Sequence, residues 1–344
     1  MSTPTASEGR LRAYAQFICA VIYLLLMAGL ARQSAQGLAD GRWSPLVEQG
    51  ILVFLLLLGY AAMGFWMNRQ LHPLREQGLP RRKGWMGEAA LGMAAGWGIA
   101  TLCVLPMAFA GGIVVSITVD PSAWGWLAAD TAFFALAAMA EEIAFRGYGF
   151  QRFVHAVGPV WASLGFAVFY AILQSLLPGA SSASFAVAVA LGLVLSAAYL
   201  RTKALWVSWG INFGWKASRA LIFGLTISGV SVHSPVVEGV ALGPRWLTGG
   251  GYGLDGSWFA FLVLLAALPV VFRLTRDLDF RYNAPVIVPA GIPVDLDAAA
   301  HAQHQAAMGP ATASAAPLVQ IAPAGALQAD GSDKSPADLA SSPQ

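Results

Sequence analysis

The stretch "AAMAEEIAFRGYGFQ", residues 137–151, sets two adjacent acids and an arginine at the end of a long apolar run. An ionised side chain at mid-bilayer costs about 3 kcal/mol on insertion scales. A chain carrying Glu141, Glu142 and Arg146 inside a span must therefore compensate them. Composition bears on whether the run is a span. Of 344 residues, 57% are hydrophobic and only 11% charged, and the mean hydropathy is +0.62. Soluble domains carry about 25% charged residues, so the deficit points to a polytopic membrane protein. Membrane lipids are its expected surroundings, and no nucleic-acid partner is expected.

Eight apolar stretches approach the ~20 residues that a helix needs to cross ~30 Å of hydrocarbon. They lie near 13–32, 49–68, 89–118, 124–143, 159–177, 184–200, 205–227 and 257–273. The third is long enough to tilt, or to be interrupted at "AGG", residues 110–112. Backbone polar groups in lipid need internal partners, so the expected fold is all-α, a bundle of eight transmembrane helices. The basic start "MSTPTASEGRLR" precedes an apolar core longer than the usual h-region of a cleaved signal. A retained anchor forming the first span is the expectation.

With the N-terminus placed inside, fourteen basic residues fall on inner segments: Arg10, Arg12, Arg69, Arg75, Arg81, Arg82, Lys83, Arg146, Arg152, Arg201, Lys203, Arg273, Arg276 and Arg281. Only three, Arg32, Arg42 and Arg245, fall outside. The positive-inside rule then places both termini in the cytoplasm. The Ala/Gly-rich vocabulary points to a bacterial inner membrane. Trp43, Trp124, Trp126 and Trp258, near span ends, read as interfacial anchors.

Residues 228–256, Gly-rich and too polar to span, read as an outer loop folding back over the bundle. From about 284 onward the Ala/Pro/Ser/Gln-rich chain reads as a disordered tail. The expected organisation is two helices and a basic loop over 1–84, a six-helix core over 85–273, and a cytoplasmic tail over 274–344. Cys19 and Cys103 lack CxxC spacing and read as buried free thiols. His301 and His304, in the tail, carry no expectation of a metal site.

Six charged residues sit within spans or at their ends: Asp130, Glu141, Glu142, Arg146, Lys216 and Arg219. Adjacent helical residues point about 100° apart, so Glu141 and Glu142 diverge. Glu142 and Arg146, four apart, can pair on one face. Glu141 then looks into the bundle, and Asp130, eleven residues earlier, lies within roughly 20° of its direction. Lys216 and Arg219 are the expected counter-charges from the seventh span. Two readings stay open at this point. The acids are buried ion pairs fixing helix register, or one acid is a general base beside a metal-bound water.

"EEIAFRG", residues 141–147, resembles EExxxR, the first motif of the CPBP (also ABI) family of membrane proteins, which includes CAAX prenyl endopeptidases. "WASLGFAVFYAILQ", 161–174, sits where that family has FxxxH. "TKALWVSWGINFGWKAS", 202–218, is similar to its HxxxN block, and "SGVS" with "LTGGGYGLDGS" matches a loop of bacterial members. The likeness covers roughly 85–273. It implies zinc-type peptide hydrolysis within the membrane, near a prenylated C-terminus. It also implies that Glu141 is the base, with Glu142 and Arg146 as its supporting pair.

The later motifs depart from that pattern. Tyr170 and Asn212 stand at the histidine positions, and Lys216 at the asparagine position. Zinc takes imidazole, thiolate or carboxylate, not a neutral phenol or amide, and the Lys216 ammonium opposes a dication. Zinc, the metal of the relatives, is therefore a poor occupant here, and a pair of Lys216 with Glu141 or Glu142 fits better. No histidine lies within 159–227 to compensate, and His155 and His233 fall in connecting segments. Three functions compete: a metalloendopeptidase with unusual ligands, a non-catalytic scaffold binding lipidated or membrane peptides, and a proton-coupled carrier using Asp130, Glu141 and Lys216. The carrier trails, since paired broken helices are not evident.

Overall fold

Ala, Leu and Val runs punctuated by Pro, Ser and Gly build a chain of helices, and the computed structural model describes residues 6–229 and 236–278. The helices are α1 (Ala6–Leu38), α2 (Ser44–Asn68), α3 (Pro73–Glu76), α4 (Trp85–Phe109), α5 (Pro121–Arg146) and α6 (Tyr148–Val157), then α7 (Pro159–Ser175), α8 (Ser182–Thr202), α9 (Leu205–Ala217), α10 (Arg245–Thr248) and α11 (Trp258–Leu274). Their starts follow from local chemistry. Asp120 caps α5 by accepting from the Ser122 amide at 2.9 Å, ahead of Pro121 in the first turn. Ser181 and Ser184 form a reciprocal capping box on α8.

Among the described residues, five helical segments are long and apolar enough to cross a membrane, judged by length and composition: Gly9–Leu38, Gly41–Asn68, Trp85–Phe109, Pro121–Val157 and Ser182–Thr202. The remaining expected spans fall on shorter elements. Both α7 and α11 have 17 residues, and α9 has 13. The seventh apolar stretch stops being α-helical at Ala217 and continues as a π-helical turn, Ser218–Ile222.

The all-α expectation needs one correction. The third stretch is interrupted at Ala110–Gly112, and Ile113–Ile117 forms strand β1. It pairs antiparallel with β2, Val237–Ala241, with Val115 opposite Gly239. The bulk of the sequence 89–118 is apolar, so hydropathy alone joined helix and strand into one span. The strand partner lies more than a hundred residues away. It sits in the 228–256 segment, whose described part does fold back: Leu254 is buried in the core of α4, α8, α9 and α11.

Glycines decide how closely α4 and α9 approach. A methyl group added at Gly96 would stand 2.2 Å from the Ile211 carbonyl oxygen, and one at Gly210 would stand 2.3 Å from that of Ala89. Gly92 and Gly214 are equally tight, so backbone meets backbone along two glycine pairs spaced four apart. A second core joins α1, α2, α5, α6 and α7 around Phe166, Tyr148 and Phe150.

Hydrogen bonds gather the basic connectors at one end of the bundle. Arg12 donates to the Met67 carbonyl. Arg82 Nη2 reaches the Thr202 carbonyl at 2.8 Å, and Arg201 Nη2 reaches that of Phe272 at 3.1 Å. The Trp43 and Trp126 rings meet at a tilt, 5.0 Å between centroids, near the α1–α2 turn, and Trp124 and Trp258 are exposed. Cys103 is buried as expected, but Cys19 is exposed, because it lies on the outward face of the peripheral α1. His233, His301, His304 and the tail from 284 lie outside the described residues.

Candidate functional site

Glu141 and Glu142 stand on the last turns of α5, which ends at Arg146 with Gly147 as its C-cap. Across from them, α9 presents Asn212 and Lys216 one turn apart, held close by the glycine seam with α4. The Lys216 ammonium pairs with Glu141 Oε1. Asn212 Nδ2 donates to Glu141 Oε2 at 2.9 Å and to Glu142 Oε1 at 3.1 Å. An amide nitrogen carries two hydrogens, so Asn212 can serve both carboxylates at once. Its position, wholly buried, leaves it no alternative partner in water.

Glu142 pairs with Arg146 four residues on, Nη1 to Oε1 at 3.3 Å, and both side chains are buried. Arg146 Nη2 also donates to the Gly192 carbonyl of α8 at 3.2 Å. The helical spacing thus works as geometry requires: one acid is neutralised along its own helix, the other across the bundle. Glu141 is 25% exposed at its side chain while Glu142 is wholly covered. Two carboxylates face two cations, so the cluster carries no net charge. That balance is the condition for burying ions in an apolar bundle.

Glu141 opens on a cavity of about 480 Å³, which Asp130, Tyr170, Lys216, Arg219 and Asp255 also line. Phe133, Phe134, Leu177 and Leu191 give it apolar walls. Asp130 therefore shares the direction of Glu141, as their eleven-residue spacing requires. Tyr170 is buried, accepts from Gln174 Nε2 at 3.2 Å, and packs edge-on against Phe145 with centroids 5.2 Å apart.

Arg219 departs from its expected role. It pairs with Asp255 of the loop before α11, Nη1 to Oδ1 at 2.7 Å, and its Nε donates to the Trp215 carbonyl at 2.9 Å. Ser228 completes the link, its amide and hydroxyl donating to Asp255 Oδ2 at 3.1 and 3.0 Å. The π-helical turn carries Arg219 toward the loop. Asp255, Ser228 and Gln174 are thus site residues that reading the spans alone overlooked. "LDG" after a glycine run marked the place without naming the arginine it would meet.

His155 sits on α6, away from Glu141, among Arg12, Arg69 and Arg152. Among the described residues no group of three or more His, Cys, Asp and Glu side chains could hold a metal ion. The donors around Glu141 are a second carboxylate, an amide, a phenol and an ammonium. Three of these are unsuited to zinc, and the ammonium takes up the Glu141 oxygen that a metal would need. The residues present do not fit the metal.

Residues 122–218 match the family model described as Rce1-like, type II CAAX prenyl endopeptidase. The segment runs from the first turn of α5 through Lys216, and so contains the whole Glu141–Asn212–Lys216 cluster. Over those residues the chain is similar to that model, which is consistent with the CPBP/CAAX protease family. Comparison with curated proteins and with solved structures gave no match. Together with the apolar helices, this makes the chain a multi-pass membrane protein.

Proposed function

We propose that this chain is a metal-free member of the CAAX protease-like group that binds a membrane-embedded or lipidated peptide without cleaving it. The observation that carries the reading is the Lys216–Glu141 pair, bridged by Asn212 to Glu142. A general base must be free to take a proton from water, and here both Glu141 oxygens already accept from side chains of α9. The cavity keeps what a ligand needs. Its walls are largely apolar, and Trp215 Nε1 and Arg219 Nη2 are buried donors with no hydrogen-bond partner among the described residues. A peptide carbonyl would satisfy either.

In this reading each of the eight apolar stretches contributes one crossing of the bilayer, the third through α4 alone, with the basic end and both termini in the cytoplasm of a bacterial cell. Residues 1–84 form two helices and a basic loop, 85–273 the binding core, and 274–344 a cytoplasmic tail. The test is elemental analysis of detergent-purified protein by plasma mass spectrometry. Wild type is expected to hold zinc far below stoichiometry, and Tyr170→His/Asn212→His/Lys216→Asn to gain it. Stoichiometric zinc in wild type would overturn the proposal.

The match over 122–218 favours a second reading, an active endopeptidase with an unusual ligand set. It predicts bound zinc, and loss of peptide cleavage in Glu141→Ala.

A further inference from the structure

A second cavity, of about 810 Å³, opens at the basic end of the bundle between the start of α1, the C-terminus of α2 and the face of α6. Arg10, Arg12, Arg69 and Arg152 line it, with His155 beside them, and no carboxylate does so among the described residues. Glu76 acts on Arg152 from outside the cavity, so four guanidinium groups stand against one acid, which is costly unless something anionic shares the space. The region is also built rather than loosely draped. Arg12 donates to the Met67 carbonyl of α2. The Tyr148 hydroxyl of α6 donates to Asn68 Oδ1 at 2.7 Å, and Asn68 Nδ2 donates to Gln16 Oε1 at 3.4 Å. The Arg152 guanidinium lies over the Tyr148 ring, 5.6 Å from its centroid. Arg69 takes a left-handed backbone, φ 54°, to close α2 there.

Two donors in this region are unspent. Gln16 lines the cavity and is only 3% exposed, and its Nε2 has no hydrogen-bond partner among the described residues. The same is true of Arg152 Nε. Their surplus is entirely of the kind that an oxyanion accepts, and planar guanidinium groups match phosphate oxygens in pairs. Trp66, at the rim, is 76% exposed. An indole there suits the level where headgroup meets acyl chain.

We propose that this cavity binds the phosphate headgroup of an anionic phospholipid. The site lies on α1, α2 and α6, apart from Glu141, and does not depend on whether that centre holds a metal. Basic pockets between spans recognise phospholipid headgroups by the same physics. The acyl chains would run down the exposed apolar faces of α1 and α2, where Leu11 and Phe54 are 72% and 63% exposed.

The test uses full-length protein in an uncharged detergent, with thermal unfolding followed as short-chain phosphatidylglycerol, short-chain phosphatidylcholine or inorganic phosphate is added. Phosphatidylglycerol is expected to raise Tm saturably, and the other two to leave it nearly unchanged. An equal shift from phosphatidylcholine would overturn the anion site, and a full shift from inorganic phosphate would overturn the lipid as its occupant. Arg10→Gln with Arg69→Asn is expected to weaken the apparent affinity about 25-fold, roughly five-fold for each charge removed. Asn keeps the left-handed backbone accessible at position 69. Should the double variant not fold, Arg10→Gln alone is expected to cost about five-fold. Arg42→Gln, at the opposite end, is expected to change nothing. Unaltered affinity in the folded Arg10 variants, or an equal loss in Arg42→Gln, would refute the location.

Discussion

Lys216 and Asn212 together hold the two acids of α5. The Lys216 ammonium holds Glu141 while Asn212 holds both acids, so the neutral cluster depends on every member. Removing one partner of a buried pair leaves the other charge uncompensated, at a cost of about 3–5 kcal/mol when burial is complete. Arg146→Ala meets that condition, since its partner Glu142 is wholly buried. The variant is expected to lose most of its folded population, as read by size-exclusion and thermal unfolding in detergent. Lys216→Met exposes a lesser debt, because Glu141 is partly solvated, and about 1–3 kcal/mol is expected. Adding Glu141→Gln should recover part of it; a double-mutant cycle with no coupling would contradict the pair. These pairings were largely legible. The four-residue step from Glu142 to Arg146 is a helical contact, and Lys216 was the cation that the missing histidines called for. Arg219 was not legible, because a π-helical turn and a distant aspartate, rather than helical spacing, set its direction.

At the level of elements, α9 can deliver Asn212 and Lys216 to α5 only because α4 lets it come close. The glycine seam makes a sharp prediction. Gly96→Leu forces a side chain against the Ile211 carbonyl, where even a Cβ would stand at 2.2 Å, and it should separate the helices. Overpacking of this kind costs about 1–3 kcal/mol. Gly98→Ala is the control: nothing lies within 4 Å, and relief of backbone entropy should stabilise by about 0.5–1 kcal/mol. Comparable Tm changes in the two variants would contradict the seam. Asp255→Asn weakens the tie of the loop to Arg219 and Ser228. Greater protease sensitivity near 228–256, with the helices intact, is the expected result. The glycine spacing was present in the sequence as Gly92/Gly96 and Gly210/Gly214. It could not be paired from sequence, since spacing identifies a close-packing face but not the helix it meets.

Over the whole molecule, the clustering of Arg12, Arg82 and Arg201 at one end is the structural counterpart of the charge bias along the chain. Cysteine labelling from the two sides of a sealed membrane tests what this means for orientation. Positions 10 and 203 are expected to label from the cytoplasm, and positions 42 and 245 from the outside. Labelling of residues 10 and 42 from the same side would contradict the arrangement.

Sequence by itself determined that the chain is helical, apolar and built around an acid pair in a span. Period, length and charge bias are local properties, and each can be counted along one strand of text. It also determined that no histidine lies within 159–227, an absence that no register shift repairs. Only the tertiary structure decided that Ile113–Ile117 is a strand, that Arg219 answers to Asp255, and that Gln16 and four arginines surround one cavity. Those facts join residues far apart in the chain. They follow from how closely helices pack and which backbone groups remain to be satisfied, and neither is written in any single segment.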